Sequence, residues 1–390
     1  MFVYANKIEV LDGTNRMLMT DKQWAEAVRD KIRLKMAAQC DRVGSKVPYI
    51  AVDGHYGDKM ADNLSWWTNG FWPGILWLMF RDTKDQKYSN TAIAVEERLD
   101  AALAAYEGLH HDVGFMWTLS AGLDFKLTGN PRSRARALHA ANLLAGRYNP
   151  RGHFIRSWNG QYTGWIIVDC MMNLPLLYWA GEQSADPRYR FIAIEHADTA
   201  LKHLVRNDGS CNHIAVLDPE NGDLLETPAG QGYASGSSWT RGQAWALYGF
   251  ALNARHTGEE RYLAASKRIA HYFISALTPY GFVPPVDFRA PDEPEKIDTS
   301  AGVIASCGLL ELAELAAENE RKIYFDAALK ILKATESKYC DWDPSRDSIV
   351  QKGTAQYHDK PEEFHVPLIY GDYFFIEAVY RLLYPESRVW

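Results

Sequence analysis

Two kinds of apolar pattern alternate along this chain. In the first, apolar side chains recur at helical spacing on one stripe and charged residues occupy the rest. Residues 89–106 carry Val95, Leu99, Leu103 and Tyr106 on such a stripe, with Glu96, Glu97, Arg98 and Asp100 elsewhere. Segments near 21–39, 131–145, 188–204, 260–277 and 321–338 read the same way. In the second, apolar residues run nearly all round the helix, as near 71–81, 113–127, 169–180, 240–255, 299–315 and 368–383. A helix apolar on every side is buried on every side. The two kinds alternate strictly, six of each, and short turns join each buried helix to the next amphipathic one. Leu127-Thr-Gly-Asn-Pro131, Ser184-Ala-Asp-Pro187 and His256-Thr-Gly-Glu259 are examples. Short turns make antiparallel neighbours. The pattern therefore predicts an all-α fold, an (α/α)6 barrel of six helical hairpins with parallel inner helices. A six-hairpin solenoid is the competing arrangement. Minor strands are expected near 148–166 and 208–218, where turn residues and β-branched residues mix. No linker-like stretch interrupts the chain, so residues 1–390 read as one catalytic domain with an N-terminal extension over 1–20.

In such a barrel the inner-helix N-termini and the long outer-to-inner connections share one end. Helix N-termini carry partial positive charge, and long loops carry function. The residues that precede or open the inner helices are chemically unusual. They include Trp66 and Trp67, the run His110-His111-Asp112, Trp158 with Asp169, His213, Gln231, and Arg241 with Trp245. Asp298 and Asp372 stand at two more helix starts, where an aspartate is an ordinary N-cap. His110 and His111 resemble a metal pair, but adjacent residues on a helix do not face one site, so no metal and no cofactor is expected. Of Trp66 and Trp67, at most one lines a cavity. Together, carboxylates, tryptophans, Arg, His and Gln form the inventory of a carbohydrate site. On these residues alone the chain is an enzyme or a lectin for an acidic sugar.

Composition narrows this further. Tryptophan is abundant at 13 residues, in keeping with ring stacking. The net charge is −7 with no basic block, which excludes a nucleic-acid binder. No apolar run is long enough to span a membrane, and the N-terminus lacks the pattern of a secretory signal. The five cysteines are scattered without a CxxC, which fits a reducing cytoplasm. The expected partner is a small oligosaccharide, and a monomer and a homodimer are both compatible with the sequence.

Six stretches resemble glycoside hydrolase family 88, the unsaturated glucuronyl hydrolases. They are DNLSWWTNGFWPGILWL (62–78), HHDVGFMW (110–117), VDCMMNLPLLYWA (168–180), QGYASGSSWTRGQAWALYGF (231–250), DTSAG (298–302) and LIYGDYFFIEA (368–378). RGQAW is shared with the unsaturated rhamnogalacturonyl hydrolases of family 105, whereas MMNLPLL favours family 88. The resemblance implies an (α/α)6 barrel that removes a Δ4,5-unsaturated uronic acid from the non-reducing end of lyase-generated oligosaccharides, by hydration of a vinyl ether. It implies Asp169 as proton donor to C4 and Asp112 as partner carboxylate. It implies Trp66, Trp158, His213, Gln231, Arg241 and Trp245 as substrate-binding residues. An α-helix N-terminus at Asp169 would oppose its role as an acid, and Pro175 is expected to kink that helix by freeing the Met171 carbonyl. Two departures from the family pattern stand out. Ala234-Ser235-Gly236-Ser237 replaces an acidic stretch. The region from Lys352 to Lys360 lacks a serine-and-lysine cluster, and Asp359 there would repel a sulfate, so unsulfated substrates are expected. A sugar epimerase, an inverting glycosidase using Asp112 and Asp169, and a non-catalytic sugar binder are the competing readings.

Overall fold

The computed structural model describes residues 19–358 and 360–390. Most of the expected N-terminal extension, and Asp359, lie outside them.

The inner helices are Phe71–Thr83, an interrupted rod from Val113 to Thr128, Leu174–Ser184, Thr240–Thr257, Thr299–Leu315 and Ile369–Leu383. Every side chain from Thr240 to Ala254, and from Thr299 to Ala313, is buried. The outer helices are Met19–Val43, Gln86–Ala105, Pro131–Ala145, Arg188–Leu204, Glu260–Leu277 and Glu318–Tyr339. They bury a single stripe. In Glu260–Leu277 it consists of Tyr262, Ala265, Ser266, Ile269, Ala270, Phe273 and Leu277. Tyr106, expected on the stripe of residues 89–106, instead lies past the helix end and is exposed. Ile369–Leu383 packs against both Thr299–Leu315 and Phe71–Thr83, which closes the inner ring. The outer ring closes where Met19–Val43 meets Glu318–Tyr339, through Lys333–Asp21 at 2.6 Å and Lys31–Glu336 at 2.7 Å. A solenoid would leave its first and last hairpins apart. The fold is an (α/α)6 barrel.

The inner-to-outer turns are built by local chemistry. Gly258 ends its helix at φ 72°, a left-handed conformation that a Cβ would strain. Asp85 and Asn130 cap the following outer helices by accepting from Lys87 N–H and Arg132 N–H.

Two inner helices depart from the expected continuous rods. The second passes through a π turn at Thr118–Gly122 between Val113–Trp117 and Leu123–Thr128. A helix that is apolar on all sides carries no phase, so an extra residue in one turn exposes nothing polar and leaves no mark in the pattern. The third begins as a 3-10 turn, Val168–Met172, and its α-helix starts only at Leu174. Pro175 therefore lies in the first turn of that helix. There its missing N–H breaks no intrahelical bond, and the expected kink is not its role. Asp169 likewise sits in the 3-10 turn rather than at an α-helix N-terminus.

Strands appear where turns and β-branched residues mix. Tyr148–Asn149 pairs with Phe154–Ile155. Trp165–Ile167 pairs antiparallel with Ile214–Leu217, which also pairs with Leu224–Glu226. A further hairpin, Ala51–Val52 with His55–Tyr56, carries too few residues to show in the pattern.

Inside the wall, Ser133 Oγ lies 2.5 Å from Asp124 Oδ2 and 2.9 Å from Glu96 Oε2. One hydroxyl has one proton, so the second contact needs a protonated carboxyl. Burial, helped by the Asp124 charge, pushes Glu96 up to about 7. The folded chain thus holds a proton on Glu96 that the unfolded chain releases near 4.5. The stability this confers is complete below that value and is lost as pH rises through about 7. Between pH 5 and pH 8 the wild type should lose on the order of 1–3 kcal/mol relative to Glu96→Gln. Parallel melting-temperature curves for the two proteins would contradict this.

Candidate active site

Strand pairing delivers the first acid to its neighbour. Ile167 is paired with Ile214, and Val168 N–H donates to the His213 carbonyl at 3.0 Å. Asp169, one residue further along, therefore comes beside the His213 ring, whose Nε2 lies 3.4 Å from Asp169 Oδ2. The tautomer follows from the other nitrogen. His213 Nδ1 accepts from Gln231 N–H at 2.9 Å, which leaves the ring proton on Nε2, facing the carboxylate. Trp239 packs on the same ring with centroids 4.2 Å apart.

Asp112 lies in the turn before Val113–Trp117 and is held by a residue the sequence reading did not single out. Asn173 Oδ1 accepts from Phe115 N–H at 2.7 Å, so its amide nitrogen must face the other way. That nitrogen donates to Asp112 Oδ1 at 3.1 Å and to the Asp169 carbonyl at 3.3 Å. Gly114 makes the approach fit, since a Cβ there would lie 2.4–2.5 Å from Asn173 atoms. Asn173 was visible only as a letter in MMNLPLL, because its role depends on where two distant segments cross.

His111 is the second omission. Its Nδ1 donates to the Ser157 carbonyl at 2.8 Å, and its Nε2 lies 3.2 Å from Asp112 Oδ1. His110 Nδ1 stands 3.5 Å from Asp112 Oδ2. Adjacent residues were expected to point apart, but 110–112 precede the helix and the two rings lie 5.1 Å apart, inclined by only 33°. One ligand atom from each of His110, His111 and Asp112 falls within 4.8 Å of the others, a set able to hold a metal ion. Burial pushes Asp112 up to about 6, with the Asp169 charge adding to the rise and His110 and Asn173 opposing it. Burial also pushes both histidines down to about 4.

The remaining residues form the walls. Trp67 belongs to the inner packing, against Phe71, Phe115 and Tyr370. Trp66 stands beside Tyr49, and both tryptophans are half-buried. Trp158 meets the His111 ring edge to face at 6.2 Å. Trp245 is fully buried between Phe115 and Phe374. The Arg241 guanidinium lies over Trp239 and Tyr370, at 4.5 and 5.4 Å. It pairs with Asp298 and donates to the carbonyls of Thr354 and Ala355. Gln231 donates to the same Ala355 carbonyl at 2.7 Å. Asp298 is an N-cap, accepting from Ser300 N–H, and also the partner of Arg241. Asp372 caps nothing. It accepts from the N–H groups of Ile349 and Val350 and from Tyr56, and so ties down a loop.

Around this mouth several buried polar atoms have no protein partner: Asp169 Oδ2, His111 Nε2, His213 Nε2, and the indole nitrogens of Trp66, Trp239 and Trp245. Buried polar atoms are normally paired. Donors and acceptors set among aromatic faces are complementary to a sugar, which presents hydroxyls at its rim and C–H groups on its faces.

Comparisons with known proteins agree with this chemistry. The family model described as Glycosyl Hydrolase Family 88 matches residues 41–278. The chain is 37% identical to an unsaturated glucuronyl hydrolase of Bacillus sp. (strain GL1), over 94% of this chain and 98% of the relative. It is 34% identical to an unsaturated chondroitin disaccharide hydrolase of Streptococcus pyogenes serotype M1, over 85% and 84%. The crystal structure of an unsaturated glucuronyl hydrolase from Streptococcus agalactiae superposes with a TM-score of 0.89 at 29% identity, covering 98% of each chain.

Replacing Asn173 by Ala should leave Phe115 N–H and Asp112 Oδ1 unpaired. We expect about 1–3 kcal/mol lower stability and at least a roughly tenfold fall in turnover. Unchanged turnover in a variant with a lowered melting temperature would reduce Asn173 to a packing residue.

Proposed function

The chain belongs to glycosyl hydrolase family 88, and from that premise we propose that it releases a Δ4,5-unsaturated uronic acid from the non-reducing end of lyase-generated oligosaccharides. The observation that carries the proposal is the junction at Asn173. One amide nitrogen reaches both the Asp112 carboxylate and the turn that bears Asp169, which holds the two acids close together. The substrate class rests on the names of the relatives and on the aromatic, hydroxyl-complementary walls.

The reaction follows from the substrate's electronic structure. The C4=C5 bond of such a sugar is a vinyl ether. In the proposed step Asp169 gives its proton to C4, and the alkene pair forms the new C–H bond. Positive charge develops at C5 and is shared by the ring oxygen. Water adds to C5 and loses a proton to the Asp169 carboxylate, which restores the acid. The hemiketal opens as the C5–O5 bond breaks and the C5 hydroxyl proton passes to O5, leaving a ketone at C5 and a hemiacetal at C1. The hemiacetal collapses to an aldehyde, and the aglycone departs as an alcohol with the hemiacetal proton, without direct acid assistance. His213 Nε2–H faces the carboxylate that forms when the proton leaves, where a positioned donor is most useful. Asp112, pushed up to about 6, holds sugar hydroxyls. Trp66 and Trp158 supply the apolar faces, and Trp245, with no exposed surface, is packed against Phe115 and Phe374. Arg241 brings fixed positive charge toward the conjugated carboxylate while Asp298 holds it in place. Gln231 sets the His213 tautomer.

We assign a preference for unsulfated sugars to the loop after Lys352. Two cations at this loop are engaged, its own Lys360 with Glu363 at 3.3 Å and the neighbouring Lys296 with the Tyr357 carbonyl at 2.7 Å. A sulfate would have to break such pairs.

An assay on lyase-made disaccharides should show loss of the alkene's ultraviolet absorbance. Asp169→Asn should lower the rate on the order of 10²-fold or more. A saturated glucuronide cleaved as fast as the unsaturated one would overturn the mechanism. Faster turnover of a 6-sulfated than of an unsulfated chondroitin disaccharide would overturn the preference.

A further inference from the structure

We propose that His110, His111 and Asp112 form a binding site for one divalent transition-metal ion of the Zn²⁺ class, and that the ion inhibits the enzyme by occupying Asp112. The three residues are consecutive, yet the turn before Val113–Trp117 gathers their ligand atoms on one side. His111 Nε2 to Asp112 Oδ1 is 3.2 Å, and His110 Nδ1 to Asp112 Oδ2 is 3.5 Å. The two contacts run to different carboxylate oxygens. Taking one ligand atom per residue, all three lie within 4.8 Å of one another, and a modest rotation of the side chains would bring them to the edges of about 3.3 Å that a tetrahedral ion with bonds of about 2.0–2.1 Å requires.

A second observation is independent of the spacing. His111 is almost fully buried and its Nε2 has no hydrogen-bond partner. Because Nδ1 donates to the Ser157 carbonyl, Nε2 carries a lone pair, and that lone pair is aimed at a carboxylate oxygen. Two electron-rich atoms facing each other call for a cation between them. The surroundings are those of a metal ligand as well. A carbonyl holds the far ring nitrogen of His111, and the Asn173 amide orients the Asp112 carboxylate. Two imidazoles and one carboxylate suit Zn²⁺, Co²⁺, Ni²⁺ or Cu²⁺, whereas Mg²⁺ and Ca²⁺ require a shell of oxygens. Of the three residues, His110 opens on a cavity of about 740 Å³, which is also lined by Tyr106, Val113 and Arg147. Arg147, which donates to the Ser157 carbonyl and to Asn159, places positive charge on the same side and keeps the site weaker than a structural one.

The ion and the sugar hydroxyls would compete for Asp112. That arm rests on the proposed function, whereas metal binding itself does not. Metal-stripped protein is titrated with CoCl₂ in a buffer that does not chelate. One equivalent should produce the intense visible bands of a four-coordinate nitrogen and oxygen site, ZnCl₂ should bleach them, and turnover of an unsaturated disaccharide should fall and recover with EDTA. His110→Ala should weaken Co²⁺ binding about tenfold or more. If its melting temperature drops, His110→Asn is compared instead. Absence of the bands, sulfur-to-metal charge transfer from a cysteine, or equal affinity in the folded variant would overturn the site. Stoichiometric binding without inhibition would uphold the site and overturn the placing of Asp112 on the substrate.

Discussion

The Phe115 N–H decides which end of the Asn173 amide faces Asp112, and the geometry of the two acids depends on that choice. Were the amide reversed, its oxygen would meet a carboxylate oxygen and its nitrogen would meet a backbone N–H, two repulsions in a buried place. With it fixed, Asp112 on one inner helix is joined to the turn that carries Asp169 on the next. Gly114 permits the contact, and the 3-10 turn Val168–Met172 places Asn173 at the end of its own segment, facing the second inner helix. A continuous α-helix from Val168 would rotate Asp169 and Asn173 relative to one another. The irregular start of this inner helix is therefore part of how the site is built.

The same end of the barrel is held by a second set of buried contacts. Arg241 lies between two aromatic rings, paired with Asp298 and bonded to two carbonyls of the 351–366 loop, and Gln231 bonds to the same loop. A buried guanidinium needs this full set of partners, since leaving it uncompensated would be severely destabilising. The cation is thereby held in one place by groups on every side. Tyr357, whose N–H donates to the Gln231 carbonyl, carries the linkage outward to Tyr233 and His358.

The alternation of wet-faced and fully apolar helices specified six hairpins in a closed ring, because a helix without a polar face has nowhere to sit but inside. The gathering of Asp112, Asp169, His213 and Arg241 at one end followed from their positions just before inner helices. The pattern could not register the π turn at Thr118–Gly122, since a uniformly apolar helix has no face to misalign. It did not anticipate His111 beside Asp112 either, because the helical rule for adjacent residues does not apply in a turn. Asp372 looked like a cap and is a loop anchor, a difference fixed by four contacts, with Tyr56, Ser348, Ile349 and Val350.

What the sequence determined by itself was therefore what repeats or lies local to the chain: helix kinds, their order, the turns between them and the end at which chemistry collects. Periodicity and capping act over a few residues and can be read from a few residues. Only the tertiary structure decided which amide orients which carboxylate, which imidazole nitrogen keeps its lone pair, and which carbonyls receive Arg241. Those are properties of atoms brought within about 3 Å from segments tens of residues apart, and a hydrogen bond's direction is set by both of its ends.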